Sequence, residues 1–220
     1  MVVAGAGTGL GMAWFADRST AQLPQGTEGG HIDLAANDDV QCALRDWMAQ
    51  RYGHVSYERV LSGAGLVDAY RFLSLPTRHA DITPREINQA AHAGDATARA
   101  AIALFVDIFA AYAGNLALAF DPRGGIYLCG GLTAHLATWF DQGRFVQQFC
   151  AKGRMRPLLE QMPVRPNDDC LDLGCGYGPI GIAMAHQADF RLIGSAKTMI
   201  PSNKPVISIC ALWTSRPVWS

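Results

Sequence analysis

The segment Glu28-Gly29-Gly30-His31 sets a carboxylate and an imidazole on either side of two glycines. Glycine lets the backbone turn sharply, so both side chains can face one cavity. A carboxylate accepts hydrogen bonds, and an imidazole accepts or donates them. That pairing suits the vicinal hydroxyls of a sugar, although an ordinary polar turn would carry the same residues. A third polar residue, Glu58, stands in the run Val55-Ser56-Tyr57-Glu58-Arg59-Val60-Leu61, just ahead of a Ser-Gly-Ala-Gly turn at 62–65. Alone, it reads as a surface acid or as the carboxylate of a helix N-terminus.

Two glycine-rich loops could hold anions through backbone N–H groups. The first is Gly5-Ala6-Gly7-Thr8-Gly9-Leu10-Gly11 and the second is Asp172-Leu173-Gly174-Cys175-Gly176-Tyr177-Gly178. A Gly-Gly pair at Gly130 and Gly131 would let a flat ring such as a purine lie against the backbone.

These residues need a frame. Val2-Val3-Ala4 reads as a strand entering the first loop, and Gly11 to Phe15 as a strand leaving it. Strand–loop–strand differs from a dinucleotide turn, where a helix follows. Val40, Leu44, Trp47 and Met48 mark an amphipathic helix from Asp38 to Tyr52, stopped by Gly53. A helix is expected from Leu66 to Leu73. Thr83-Pro84-Arg85-Glu86 is a capping box with proline at the first helical position, opening a helix to about Ala93. Asp95 caps a longer helix to about Phe120, with core positions at Ile102, Phe105, Val106, Phe109 and Tyr112. Gly125 to Cys129 reads as a buried strand that runs into the Gly-Gly turn, with a helix from there to about Phe140. A further helical region ends at Lys152-Gly153-Arg154, and Met162-Pro163-Val164 begins another strand.

The chain has 220 residues, half of them hydrophobic, with 23 glycines and a net charge of −1. That is enough for a large core and an α/β organisation. The charge leaves no electrostatic footprint for nucleic acid or for an anionic membrane. Six cysteines lack the close-paired spacing of a metal site and read as reduced thiols of a cytoplasmic protein. The apolar stretch from Ala100 to Leu118 carries Asp107 and Asn115, and reads as a buried core helix rather than a membrane span.

Taken in order, the motifs carry more than any one of them. They are GAGTGLG, EGGH with Asp33 behind it, GHVSYERVLSGAGL, Gly-Asn-Leu-Ala-Leu at 114–118, GGIYLCGGL, KGRM and MPV. This set resembles the bacterial glucokinase family, in the branch without a zinc-binding cysteine motif, over residues 1–165. The resemblance implies an actin-like, ribonuclease-H-like α/β ATPase lobe of a hexokinase-type sugar kinase. It implies ATP-dependent phosphorylation of the glucose 6-hydroxyl with Mg²⁺, and the family's habit of dimerising. Gly5, Gly7, Thr8 and Gly9 would lie in a phosphate loop, and Gly130 and Gly131 on the adenosine side. Glu28, His31 and Glu58 would hold glucose hydroxyls on the anomeric side. No protein residue is expected to ligate a metal.

The family also has an Asp-x-Gly-Gly-Thr phosphate loop and an Asn-Asp pair ahead of GAGTGLG, the Asp acting as general base. No residue of this chain matches them, so none is assigned as catalytic. The sequence is expected to be the incomplete large lobe of such a kinase, inactive by itself. A missing positioned base costs ~10²–10⁴ in rate.

Beyond Val164 the resemblance ends, and residues 166–220 are expected to form an atypical tail rather than an independent domain. Cys170 to Ala185 resembles the first motif of S-adenosylmethionine-dependent methyltransferases, with Asp172, Gly174, Gly176 and Gly178 as a vestigial cofactor loop. The acidic residue and the Asn-Pro-Pro motif of that family do not follow. A lone strand–turn–helix has too little core to stand as a domain. A gene junction, a reading-frame shift and local similarity on a replaced terminus all fit. The alternatives to a sugar kinase are therefore a methyltransferase fragment and a non-catalytic remnant.

Overall fold

The computed structural model describes residues 1–14, 25–74, 81–122, 125–162, 164–166 and 207–209. Its frame is a six-stranded mixed sheet. Strands β1 (Val2–Ala6) and β2 (Leu10–Trp14) form an antiparallel hairpin in which Ala6 pairs with Leu10. The sequence thus places its first glycine loop at the tip of a hairpin. β3 (Gln25–Thr27) extends the sheet beyond β2. On the other side of β1 lies β4 (Ile126–Cys129), parallel to it, with Gly5 opposite Cys129. A parallel pair needs a long crossover, and here most of the helices lie within it.

Two further strands complete the sheet. β5 (Val164–Pro166) continues the expected strand, and Pro166 is tolerated because β5 is the outermost strand. β6 (Ile207–Ile209) runs parallel between β4 and β5. The proline-punctuated tail shows little strand pattern of its own, yet Ile207-Ser208-Ile209 pairs with Ile126-Tyr127-Leu128. Neighbouring strands supply the order that local periodicity does not show.

Helix α1 (Asp39–Tyr52) is capped by the Asp38 side chain and ends at Gly53 in a left-handed conformation, φ 71°. α2 (Tyr57–Val60) is a single turn. α3 (Gly63–Leu73) starts earlier than its apolar spacing suggests, because Ser62 accepts the Gly65 N–H as N-cap. α4 (Pro84–His92) carries the complete Thr83–Glu86 capping box. α5 (Ala96–Phe120) begins at the Asp95 cap and is buried along most of its length. It is long and apolar enough to cross a membrane, but inside this fold it is the central core helix. α6 (Gly131–His135) is shorter than expected and passes into a 3-10 turn at 137–139. α7 (Gln142–Phe149), a 3-10 turn at Gly153–Met155 and α8 (Arg156–Leu159) follow.

α5 packs against α3, α4 and α7 and reaches β1. Phe105, Phe109, Phe140, Phe145 and Phe149 form a chain of ring contacts between α5 and α7. Gly114 permits this close approach: a Cβ there would lie 2.4 Å from the Phe149 carbonyl oxygen. Asp107 and Asn115, which interrupt the apolar run of α5, are each answered. Arg144 donates two N–H groups to the buried Asp107 carboxylate, at 2.6 and 2.5 Å. Asn115 donates to the Tyr57 hydroxyl at 2.7 Å. Cys129 and Cys150 are buried and Cys42 is half-buried.

Candidate functional site

The β1–β2 hairpin leaves three residues, Gly7, Thr8 and Gly9, at its tip. The Gly7 N–H donates to the Gly9 carbonyl at 2.9 Å, closing the loop. Neither glycine takes a left-handed conformation, so neither is called for by its backbone angles. A Cβ on Gly7 would meet no protein atom within 4 Å. A Cβ on Gly9 would lie 2.6 Å from Glu58 Oε2.

Three contacts hold this hairpin from behind. The Gly63 N–H, at the start of α3, donates to the Gly7 carbonyl at 2.9 Å. The Leu10 N–H donates to Glu58 Oε2, also at 2.9 Å. The turn at Gly29–His31 presses on Leu10, where a Cβ on Gly30 would stand 2.2 Å from the Leu10 carbonyl oxygen.

The same turn and the same Glu58 make the second half of the site. His31 Nε2 lies 3.6 Å from Glu28 Oε2 and 3.8 Å from Glu58 Oε1. Both separations are too long for hydrogen bonds. The three side chains therefore converge without hydrogen-bonding one another, and Glu58 keeps Oε1 on the His31 side while Oε2 accepts the Leu10 N–H. Exposure grades across them: 90% for Glu28, 57% for His31 and 32% for Glu58. A small polyol entering here meets a carboxylate at each end of the set and an imidazole in the middle.

The scaffold beneath is apolar. Tyr57, next to Glu58, is fully buried, and its N–H donates to the Ile32 carbonyl at 3.0 Å. Its ring lies 4.5 Å from that of Tyr112 on α5. Burial pushes both phenols up, so they stay neutral. The Tyr112 hydroxyl sits under Gly29, and among the described buried side chains it alone lacks a hydrogen-bond partner. Sequence reasoning missed this layer, because Tyr112 has core spacing and nothing local links it to Gly29. Behind the turn, Asp33 bridges to Ser56 and hydrogen-bonds His54.

The Gly-Gly pair lies at the same end of the sheet, where β1 and β4 finish side by side. Gly130 has φ 101°, a conformation that favours glycine, and a Cβ there would lie 2.3 Å from the Ala6 carbonyl oxygen. Gly131, the first residue of α6, faces open space. Asn88 steadies α6 from α4 by donating to the His135 carbonyl at 2.9 Å. Since β1 and β4 are adjacent, the hairpin tip and the Gly-Gly turn flank one another, and one extended ligand can touch both. Among the described residues no group of three or more His, Cys, Asp or Glu could hold a metal ion. Asp172, Gly174, Gly176 and Gly178 lie outside the described residues.

The Glucokinase family model matches residues 1–166. The chain belongs to the glucokinase family. The glucokinase of Chromohalobacter salexigens is 40% identical over 171 residues, covering 74% of this chain and 52% of the relative. Among solved structures, a glucokinase from an Antarctic psychrotroph aligns with TM-score 0.67 and 30% identity, over 73% of this chain and 51% of that one. A ROK family glucokinase from Streptomyces griseus, solved in complex with glucose and AMPPNP, aligns at TM-score 0.51 and 20% identity over 71% and 52%. At that identity the likeness speaks for the fold, the actin-like α/β lobe of sugar kinases. The chain spans about half the length of the curated glucokinases it matches.

Proposed function

We propose that this chain supplies the glucose- and nucleotide-binding lobe of an ATP-dependent glucokinase, in which the γ-phosphoryl group passes to the sugar 6-hydroxyl. The observation that carries the reading is the convergence of Glu28, His31 and Glu58 beside the Gly7–Gly9 hairpin. Glu28 and Glu58 accept from sugar hydroxyls, and His31 donates or accepts between them. Their work is orientation. A sugar fixed at several hydroxyls presents its reacting hydroxyl in one place, which is where most of the catalytic gain in such a transfer arises.

The nucleotide fits the opposite side. The open faces of Gly7 and Gly131 leave backbone exposed where phosphate and adenosine would lie, and Thr8 adds an exposed hydroxyl. ATP supplies the activated phosphoryl group. Mg²⁺ would accompany the ATP phosphates and neutralise the charge that develops on them. The residues of this chain bind and orient; none is assigned the role of accepting the 6-hydroxyl proton. Residues 1–165 carry the kinase motifs and 166–220 form the tail, a division supported by the extent of the motif set, although β6 of the tail joins the same sheet. The homodimer and the cytoplasmic setting are proposed on family grounds.

Calorimetric titration of the 220-residue chain with glucose tests the reading. Binding in the millimolar range or tighter, weakened at least about tenfold by His31→Ala, is expected, in line with a lost hydrogen bond to a desolvated polar group. Unchanged affinity in His31→Ala, or equal affinity for an unrelated polyol such as glycerol, would remove the sugar site from this position.

A further inference from the structure

Glu58 uses its two oxygens differently. Oε2 accepts the Leu10 N–H at 2.9 Å, at the residue where the phosphate hairpin rejoins the sheet. Oε1 faces His31. The carboxylate lies against the space left by the absent side chain of Gly9, where a Cβ would come within 2.6 Å of Oε2 and 3.2 Å of Cδ. One side chain thus belongs to the sugar-facing cluster and to the backbone support of the phosphate loop.

We propose that Glu58 and Gly9 form a positioning link between the two halves of the site, so that sugar held by Glu58 fixes the phosphate hairpin and nucleotide held by the hairpin fixes Glu58. This rests on the sugar and nucleotide sites proposed above. Its basis is mechanical. The Leu10 N–H is a hairpin-terminal donor, and an ionised acceptor makes the stronger kind of hydrogen bond. Moving the carboxylate to meet a hydroxyl moves the acceptor, and ordering the hairpin orders the carboxylate. Linkage is reciprocal, so each ligand must tighten the other by the same factor.

Gly9→Ala isolates the link. The atom its Cβ displaces is the end of a flexible side chain, so the fold adjusts while the carboxylate moves. The measurement is calorimetry on the 220-residue chain with glucose, with Mg-AMPPNP and with each in the presence of the other. In the unmodified chain, saturating AMPPNP tightens glucose by about fivefold or more, and glucose tightens AMPPNP equally. In Gly9→Ala, glucose measured without nucleotide weakens by about tenfold and the mutual enhancement falls to about one. A residue serving phosphate alone would leave that glucose affinity untouched. Glu58→Ala gives the reverse test, with AMPPNP measured without sugar weakening about threefold or more as the Leu10 N–H loses its acceptor. Should Gly9→Ala not fold, the unmodified chain and Glu58→Ala decide. Independent binding in the unmodified chain, or variants that each affect only their own ligand, overturns the link while leaving both sites standing. Failure of glucose to bind the unmodified chain overturns the link and the sugar site together.

Discussion

Gly30 brings its backbone so close to Leu10 that a single methyl group would stand 2.2 Å from the Leu10 carbonyl oxygen. The turn bearing Glu28 and His31 is thereby wedged against the hairpin bearing Gly7–Gly9. Backbone cannot swing aside as a side chain can. Gly30→Ala should destabilise the fold by about 1–3 kcal/mol through overpacking. Glucose affinity should fall with it, because His31 would leave Glu58. Urea unfolding and glucose titration of the same preparation check both.

Gly7 and Gly131 should behave in the opposite way. Neither would bring a Cβ against protein, and neither has a left-handed φ. Alanine at either position should leave unfolding free energy unchanged or raise it by about 0.4–1 kcal/mol, through a less flexible unfolded chain. AMPPNP binding should weaken in both, since a methyl group there would enter the space proposed for the nucleotide. Gly130→Ala, strained at φ 101° and jammed against Ala6, should lose stability instead. A chemical denaturation series on the three variants separates ligand-shaped glycines from fold-shaped ones.

The Asp107–Arg144 pair ties α5 to α7. Asp107 is buried and Arg144 is half exposed, so solvent screens part of the pair's attraction. Removing Arg144 still leaves a carboxylate inside the helix layer without its donors. Arg144→Met should cost about 1–3 kcal/mol, and the double variant with Asp107→Leu should recover part of it. A double-mutant cycle by thermal unfolding gives the pair's coupling directly.

Lys152 is partly buried, and burial pulls its ammonium below the ordinary lysine range. Its Cε packs where a Gly114 side chain would otherwise lie. With a lowered folded pKa, the unfolded chain binds more protons in the window just below the ordinary lysine value. This contribution therefore makes stability rise with pH across that window and is unfavourable at neutral pH. Lys152→Met should stabilise the protein at pH 7, and its advantage should shrink as pH climbs through the window. The raised phenols Tyr52, Tyr57 and Tyr112 act in the opposite sense at high pH, and they cancel when the two proteins are compared. Thermal melts from pH 7 to 10.5 follow the difference.

Tyr112→Phe removes the unpaired buried hydroxyl while keeping the ring against Tyr57. An unsatisfied polar group costs about 1–3 kcal/mol, so the variant should be as stable as the parent or more so. A loss of more than about 1 kcal/mol on denaturation would show that the hydroxyl is bonded in solution.

Capping chemistry made much of this fold legible in advance. Asp38, Thr83-Pro84-Arg85-Glu86 and Asp95 each announce a helix start through a side chain that answers a backbone N–H, and all three do so. The hairpin was readable because two short apolar runs flank small residues. Other features depend on tertiary neighbours. β6 lies among prolines and gains its order from β4 and β5. α6 stops after five residues. Glu58 looked like a surface acid because its partners, Leu10 and His31, are distant in sequence. The ordered motif set pointed to a sugar site at Glu58; the shared hydrogen bond to Leu10 needed coordinates.

β1 is paired on both sides, with Gly5 opposite Gly11 in one neighbour and Cys129 in the other. A residue inserted before its end would turn every following side chain to the wrong face of the sheet. The tip has little more freedom, since Gly7 and Leu10 are both tied to the α2–α3 segment. A change of length in this loop should therefore cost the fold more than a substitution at constant length. At Thr8, the exposed residue between the two glycines, a substitution would burden the fold least and fall on the proposed phosphate contact instead.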